Sequence, residues 1–120
     1  MLEDERVRVV GLYMEGLNDG VALGTALARA NAQRVPSVLL RGGATPAAAQ
    51  RSLSHTGNLA VANDFWRALM ARYTLLEARS SKQLVEMTKL IAVAGIPEGP
   101  RVFVTTYSGA ACTLVAELSP

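Results

Sequence analysis

The only histidine of the chain, His55, stands among small polar residues in the sequence Ser54-His55-Thr56-Gly57. A neutral imidazole can attack phosphorus and hold a phosphoryl group as a covalent intermediate. The small neighbours leave room around the ring and give access to backbone N–H groups. The residue types therefore leave two interpretations open: a phosphoryl-accepting histidine, and a surface histidine at the junction of a helix and a turn.

A carboxylate, Glu15, follows the first predicted strand directly and precedes Gly16. At that place it can accept a hydrogen bond from one imidazole nitrogen and so determine which nitrogen is the nucleophile. The alternative interpretation of Glu15 is a solvated charge at a strand end, or a partner of a helix N-terminus.

A possible anion site lies at Ser108 and Gly109, between a predicted strand and the helix predicted to begin at Ala110. The free N–H groups and the partial positive charge of a helix N-terminus favour an anion. The same residues are also typical of a simple turn. The sequence contains neither of the common glycine-rich nucleotide-binding motifs.

Thiol and metal chemistry is limited, because the chain has a single cysteine, Cys112, besides its single histidine. One cysteine forms no intrachain disulfide, and the two residues form no cluster of the kind that binds zinc. We interpret Cys112 as a buried, unreactive thiol of the last helix.

The elements that must position these residues alternate along the chain. Short apolar or β-branched runs predict strands at 7–14, 37–40, 74–77 and 101–106. Helical spacing of apolar residues predicts helices at 21–33, from 44–49 onward, along a face between 59 and 73, and at 110–118. A further helix is predicted to begin after Ser80, which forms a capping box with Gln83, and to end at Gly95. The pattern predicts an α/β fold with a mainly parallel sheet of about four strands and helices on its faces.

The predicted sheet places the candidate residues together, because ligands of parallel sheets bind beyond the carboxyl ends of the strands. The informative turns are those at Glu15, at Gly42 and Gly43, from Glu77 to Ser80, and at Ser108 and Gly109. A sheet of so few strands has exposed edges, so we expect self-association or a partner chain.

The composition indicates a globular protein and excludes other classes. Hydrophobic residues make up 50% of the 120 residues and charged residues 18%, which excludes a disordered tail. The net charge of +2 comes without a Lys/Arg run, so we expect no nucleic-acid partner. Apolar runs are too short for a membrane span and the acidic start is unlike a signal peptide, so we expect a cytoplasmic protein without a membrane partner.

Three segments resemble the NDP-forming acyl-CoA ligases, a family that includes succinyl-CoA synthetase and the ADP-forming acetyl-CoA synthetases. Residues 48–60 resemble the helix and Ser-His-Thr-Gly sequence that contain the family's phosphorylated histidine. Residues 9–20 resemble its strand with Tyr-x-Glu-Gly, followed by Asp-Gly, and residues 101–114 its strand with Ser-Gly.

The sequence departs from the family pattern at three positions. Asn58 and Val61 stand where the family usually has alanine and glycine. Ala110 replaces the second glycine of the family's Ser-Gly-Gly, at a point where the backbone approaches a phosphate.

The resemblance implies a reaction in which an acyl-CoA, a nucleoside diphosphate and phosphate give a carboxylate, CoA and a nucleoside triphosphate. It implies that His55 is transiently phosphorylated and that Glu15 hydrogen-bonds the phosphohistidine. It also implies phosphate binding by Ser108, Gly109 and Ala110.

The resemblance further implies a flavodoxin-type domain at 1–98 that is incomplete at its N-terminal side. Residues 99–120 would be the first strand and helix of the following ligase domain, and we expect them to pack on the same sheet. Activity would need an ATP-grasp domain or subunit and a CoA-binding domain. CoA and ATP or ADP with Mg²⁺ would belong to the complete enzyme, and this chain alone would bind no cofactor.

Two other functions remain open. The chain can be a non-catalytic α/β module for oligomerisation or regulation, derived from such a ligase. It can also be a small flavodoxin-like domain that binds an anion, an interpretation that depends on Ser108 and Gly109 alone.

Overall fold

A computed structural model describes residues 2–42 and 63–118 of the chain. Within these ranges lie the strands β1 (Val10–Met14), β2 (Ser37–Arg41) and β3 (Leu75–Ala78). The helices are α1 (Gly20–Ala32), α2 (Asn63–Arg72), α3 (Ser81–Ala94) and α4 (Gly109–Leu118). The helix predicted to open at 44–49 lies outside the described residues.

The strands form one parallel sheet in the order β1-β2-β3. Leu39 in the central strand pairs with Leu12 of β1 on one side and with Glu77 of β3 on the other. Val38 and Leu39 are fully buried, as expected for a strand covered on both faces. The predicted α/β class and the parallel pairing are therefore confirmed.

Helices cover both faces of this sheet, because successive side chains of a strand point to opposite sides. Helices α1 and α2 cover the face of Leu39, where the core consists of Leu27, Leu39, Trp66, Leu69 and Leu75. Helix α3 covers the opposite face, where Val38, Ala78 and Ile91 are buried together. Complete burial of one valine, leucine or isoleucine side chain stabilises the fold by roughly 1.5–3 kcal/mol.

The helix ends follow local chemistry. Asp19 caps α1 by accepting hydrogen bonds from the N–H groups of Val21 and Ala22, both at 2.9 Å. Ser80 caps α3 by accepting from the Gln83 N–H at 3.1 Å.

The predicted capping box of α3 forms only in its first half. The Gln83 side chain reaches past Ser80 and accepts from the Arg79 N–H at 2.7 Å. Gly95 ends the helix with φ of 76°, a conformation that favours glycine.

One predicted strand is wrong: residues 101–106 form no strand in the described structure, so the sheet has three strands instead of about four. A strand obtains its hydrogen bonds from a neighbour, and none of the described strands pairs with this segment. Val102 and Phe103 are accordingly 84% and 92% exposed.

Helix α4 forms as predicted but buries none of its described side chains. Cys112, predicted to be buried, is exposed. Residue type alone does not determine burial: α4 is apolar on most of its circumference, yet none of its side chains is buried in the described structure.

Within the described ranges, no helix combines the length and the apolar character needed to cross a membrane.

Candidate functional site

Glu15 lies at the carboxyl end of the sheet, one residue after β1 ends at Met14. Tyr13, on the same side of the chain, donates its phenolic hydrogen to Glu15 Oε1 at 2.6 Å. This hydrogen bond to a carboxylate is the main cause that raises the pKa of Tyr13 above its ordinary value of 10.0. The side chain of Glu15 is exposed to solvent, and the hydrogen bond from Tyr13 orients it.

The exit of β2 packs directly against Glu15. The Gly42 N–H donates to the Met14 carbonyl at 2.7 Å, which extends the pairing of β1 and β2 by one bond. A Cβ at position 42 would lie 2.9 Å from Glu15 Cγ and 3.2 Å from Glu15 Cα. Glycine is therefore needed at this turn because of the close approach to Glu15.

A second polar cluster lies where β2 and β3 end. Arg41 donates from Nε to Glu77 Oε1 at 2.6 Å, and its Nη2 lies 2.5 Å from the same oxygen. Its Nη1 donates to Asn63 Oδ1 at 2.9 Å. The register explains the pair: Leu39 lies opposite Glu77, and Arg41 follows two residues later on the same face.

The Arg41 guanidinium is packed as well as hydrogen-bonded. Its carbon lies 5.9 Å from the ring centroid of Trp66, within the range of a cation–π contact. The side chain of Arg41 is only 14% exposed. The cluster lines a cleft of about 310 Å³ together with Arg67 and Met70.

Sequence reasoning alone does not separate Arg41 from the other arginines of the chain. A signal was nevertheless present, since Arg41 follows one predicted strand directly and Glu77 ends the next. Parallel strands place such residues at the same edge of the sheet, so the pair of opposite charges could have been anticipated.

Ser108 precedes α4 and caps its first turn. Its hydroxyl accepts from the Ala111 N–H at 3.4 Å, its carbonyl accepts from the Cys112 N–H at 3.1 Å, and its own N–H donates to Thr106 Oγ1 at 3.0 Å. In the described structure these hydrogen bonds of Ser108 all stay within 106–112. Phosphate binding by Ser108, Gly109 and Ala110 stays a prediction.

His55 lies outside the described residues, and its pairing with Glu15 likewise stays a prediction. Among residues 2–42 and 63–118, no three His, Cys, Asp or Glu side chains are grouped to hold a metal ion. The described edge of the sheet thus offers an oriented carboxylate, Glu15, and an arginine engaged by Glu77 and Asn63. A carboxylate in this position can accept a hydrogen bond from a nitrogen that carries a proton. It can also stabilise a positive charge near it.

Comparison with known proteins shows that the chain is similar to a group of CoA ligases. The chain is 30% identical over 112 residues to acetate–CoA ligase (ADP-forming) II of Archaeoglobus fulgidus, which covers 93% of this chain and 16% of that protein. It is 25% identical over 107 residues to the alpha subunit of acetate–CoA ligase (ADP-forming) I of Pyrococcus furiosus, covering 89% of this chain and 23% of the subunit.

A third relative differs in its acyl group. The chain is 27% identical over 110 residues to a trans-feruloyl-CoA synthase of an unknown prokaryotic organism, covering 92% of this chain and 16% of that enzyme. The chain thus spans less than a quarter of the length of each of these three relatives.

A family match supplies the assignment. Residues 1–91 match the model of the succinyl-CoA ligase like flavodoxin domain. This range contains all three strands of the sheet and the Glu15 turn. With its parallel α/β sheet and its similarity to ADP-forming ligases, the chain belongs to the family of the succinyl-CoA ligase like flavodoxin domain.

Proposed function

We propose that the chain is the phosphohistidine-bearing part of an NDP-forming acyl-CoA ligase. The observation that supports this most strongly is the contact between Gly42 and Glu15 at the carboxyl edge of the sheet. The stretch of sequence that contains His55 follows Gly42 in the chain, and Gly42, the last described residue before it, lies against an oriented carboxylate. Membership of the ligase-derived family supplies the second support.

In the proposed reaction, a ring nitrogen of His55 attacks the phosphorus of an acyl phosphate. A nitrogen–phosphorus bond forms, the bond between phosphorus and the acyl oxygen breaks, and the carboxylate leaves with the electron pair. The proton on the other ring nitrogen stays hydrogen-bonded to Glu15, which stabilises the charge that develops on the ring. A nucleoside diphosphate oxygen then attacks the same phosphorus and releases neutral imidazole and a nucleoside triphosphate.

The N-terminus of α4 is the proposed phosphate contact. N–H groups at Gly109 and Ala110 would face the phosphoryl oxygens, a contribution of about 0.3–1 kcal/mol at an exposed helix end. Ala110 has a Cβ where the family usually has glycine, so we expect a looser contact here.

The remaining activities belong to other domains in this proposal. Among the described residues no three His, Cys, Asp or Glu side chains are grouped to hold a metal ion, and the sequence has no glycine-rich nucleotide motif. We assign CoA to a CoA-binding domain, and ATP or ADP with Mg²⁺ to an ATP-grasp domain or subunit. The "subunit alpha" in the name of the Pyrococcus relative supports a partner chain.

The test is phosphoryl labelling of the purified chain with γ-³²P-ATP and an extract of its source cells. We expect acid-labile, base-stable label in the wild type and none in His55→Ala, with equal circular dichroism spectra of the two proteins. Equal label in both proteins, or no label in a folded wild type, would contradict the proposal.

A non-catalytic interaction module is the second candidate, and one observation favours it. Large apolar side chains are exposed on and before α4, namely Val102, Phe103, Tyr107, Leu114 and Leu118. Such a group is typical of a surface that binds a partner. This function predicts a complex in sedimentation experiments and no label that depends on His55.

A further inference from the structure

A cleft lies at the amino end of the sheet, opposite the edge at which Glu15 lies. It has a volume of about 560 Å³, and its wall includes Arg8 before β1, Pro36 before β2 and Thr74 before β3. The five residues of β1 separate Arg8 from Glu15, which is roughly 16 Å at the rise of an extended strand. This amino-end cleft is therefore separate from the site proposed for phosphoryl transfer, and its volume is in the range of pockets that bind small molecules.

Two arginines give the amino-end cleft a positive charge. Arg8 and Arg34 both line it, and its described lining contains no Asp or Glu residue. Within the described part of the chain, neither guanidinium has a hydrogen bond or an ion pair. By contrast, a carboxylate pairs with each of Arg6, Arg41 and Arg67. Two guanidiniums at one cleft favour a doubly charged anion, because phosphate oxygens can accept hydrogen bonds from both planar groups.

The backbone of Arg34 has a conformation that is unusual for arginine. Its φ is 57°, and among the described residues no other residue except glycine has a positive φ. The Arg34 N–H donates to the Asn31 carbonyl at 3.0 Å, and the Val35 N–H donates to the Ala30 carbonyl at 2.9 Å. These two bonds form a Schellman motif at the end of α1, in which glycine usually occupies the position of Arg34. The sequence thus has a guanidinium at the cleft where the backbone favours a residue without a side chain.

A cation at the end of a helix also has a simpler role, because it offsets the partial negative charge of the last carbonyl groups. That role accounts for Arg34 but not for Arg8, which comes from outside the helices and lines the same cleft. The carbonyl oxygens of Arg29, Ala30 and Ile91 moreover accept hydrogen bonds from the N–H groups that follow each helix. Their repulsion of an anion in the cleft is accordingly reduced.

Asn31 adds a neutral donor to the cleft. Its Oδ1 accepts hydrogen bonds from the Thr74 N–H at 3.2 Å and from the Thr74 hydroxyl at 3.0 Å, which fixes the direction of the amide group. The Nδ2 of Asn31 has no partner among the described residues, so its hydrogens are available to a ligand. Another part of the wall is apolar and consists of Ile91 of α3 and Ile96 just after that helix.

We propose that the amino-end cleft is a binding site for a small organic phosphate. Arg8, Arg34 and Asn31 would hold the phosphate group, and the apolar part of the ligand would lie against Ile91 and Ile96. This site does not depend on the proposed phosphoryl transfer, because none of its residues lies at the carboxyl edge of the sheet.

The test is an NMR titration of the full chain, labelled with ¹⁵N, with phenyl phosphate as the probe. We expect saturable shifts of the Nε–H signals of Arg8 and Arg34 and of the side-chain amide signals of Asn31. Inorganic phosphate should bind more weakly, because it lacks the apolar part. Phenol should produce no saturable shift, because it lacks the charge.

Arg34→Gly is the sharpest variant, since glycine suits φ of 57° and removes the guanidinium. We expect the dissociation constant of phenyl phosphate to rise about tenfold in Arg34→Gly and in Arg8→Gln, as for the loss of one hydrogen bond to a charged group. The urea midpoint of Arg34→Gly should not fall, which separates a lost contact from a lost fold. Arg79→Gln is the matched control. It removes the same charge from an exposed position after β3 and should leave the dissociation constant unchanged.

Three results would overturn the inference. The first is the absence of saturable shifts at Arg8 and Arg34 with phenyl phosphate. The second is equal affinity for phenol and phenyl phosphate, which describes an apolar cleft without recognition of phosphate. The third is equal weakening in Arg34→Gly and Arg79→Gln, which describes a general attraction of anions to a basic protein.

Discussion

At the scale of single residues, the edge of the sheet is organised by short polar contacts. Glu15 is oriented by Tyr13 and lies against Gly42, while Arg41 is held between Glu77 and Asn63. These contacts lie at the carboxyl ends of the strands, where side chains extend beyond the core, and Asn63 joins them from the first turn of α2. The site is therefore tested with conservative substitutions, which replace one atom of a side chain or add one methyl group.

Glu15→Gln should slow labelling of His55 about tenfold, because it removes the charge from one hydrogen bond to the ring. The rate of ³²P incorporation at a fixed ATP concentration measures this effect. A labelling rate equal to that of the wild type would show that Glu15 takes no part in the reaction.

The same substitution should change the titration of Tyr13. The hydrogen bond to Glu15 raises the pKa of Tyr13 in the folded protein above its ordinary value of 10.0. The contribution of this hydrogen bond to stability is therefore fully present below pH 10.0, and it is lost as the pH rises through the pKa of Tyr13 in the folded protein. In Glu15→Gln the pKa of Tyr13 should fall. An NMR titration of ring-labelled tyrosine measures it, and an unchanged midpoint would contradict the contact.

Gly42→Ala should destabilise the fold by roughly 1–3 kcal/mol, because the new methyl group overlaps Glu15. Gly24→Ala is the matched control. Its added Cβ would meet no other element of the described structure within 4 Å, and it should raise stability by roughly 0.5–1 kcal/mol as a helix-interior replacement. Urea unfolding of both variants measures the difference, and equal effects would refute the close approach.

At the scale of elements, helices and strands begin and end where local chemistry requires it. Asp19 and Ser80 accept hydrogen bonds from the first turns of α1 and α3, and Gly95 ends α3 with a positive φ. Residues 101–106 show the opposite case, because a β-branched run without a neighbouring strand forms no sheet.

Gly95→Ala should cost about 1–3 kcal/mol of stability, since a Cβ is unfavourable at φ of 76° and ψ of −174°. The control is Gly99→Ala, which has open space around the added Cβ and should leave the free energy of unfolding nearly unchanged. Thermal or urea unfolding compares the two proteins. A Gly95→Ala protein as stable as the control would show that the backbone relaxes at no cost.

At the scale of the whole molecule, three parallel strands leave β1 and β3 as sheet edges in the described structure. Exposed apolar side chains lie on and before α4, outside the core described above. Both features favour contacts with other domains or chains, as the greater length of the relatives also does.

We expect the chain to self-associate, and Phe103→Lys to weaken that association. Phe103 is 92% exposed, so the substitution removes apolar surface without disturbing the core. Val93→Lys is the control, because Val93 is 83% exposed on α3. Sedimentation velocity over a range of concentrations measures the mass, and a monomeric wild type would contradict the expectation.

The sequence by itself determined the α/β class, the alternation of elements and most of their positions. These follow from apolar spacing and capping chemistry, which act between residues close in the chain. It also identified Glu15 and Gly42 as residues at strand ends, because a strand end is visible locally.

Only the tertiary structure decided how those ends meet. The register of β2 with β3 brings Arg41 to Glu77, and the packing of α2 brings Asn63 to the same guanidinium. Strand pairing also decided that the described sheet has three strands and not four, and the tertiary structure leaves Cys112 of α4 exposed. These outcomes depend on contacts between residues that are distant in the chain. The free energies of such contacts cannot be read from a local sequence pattern.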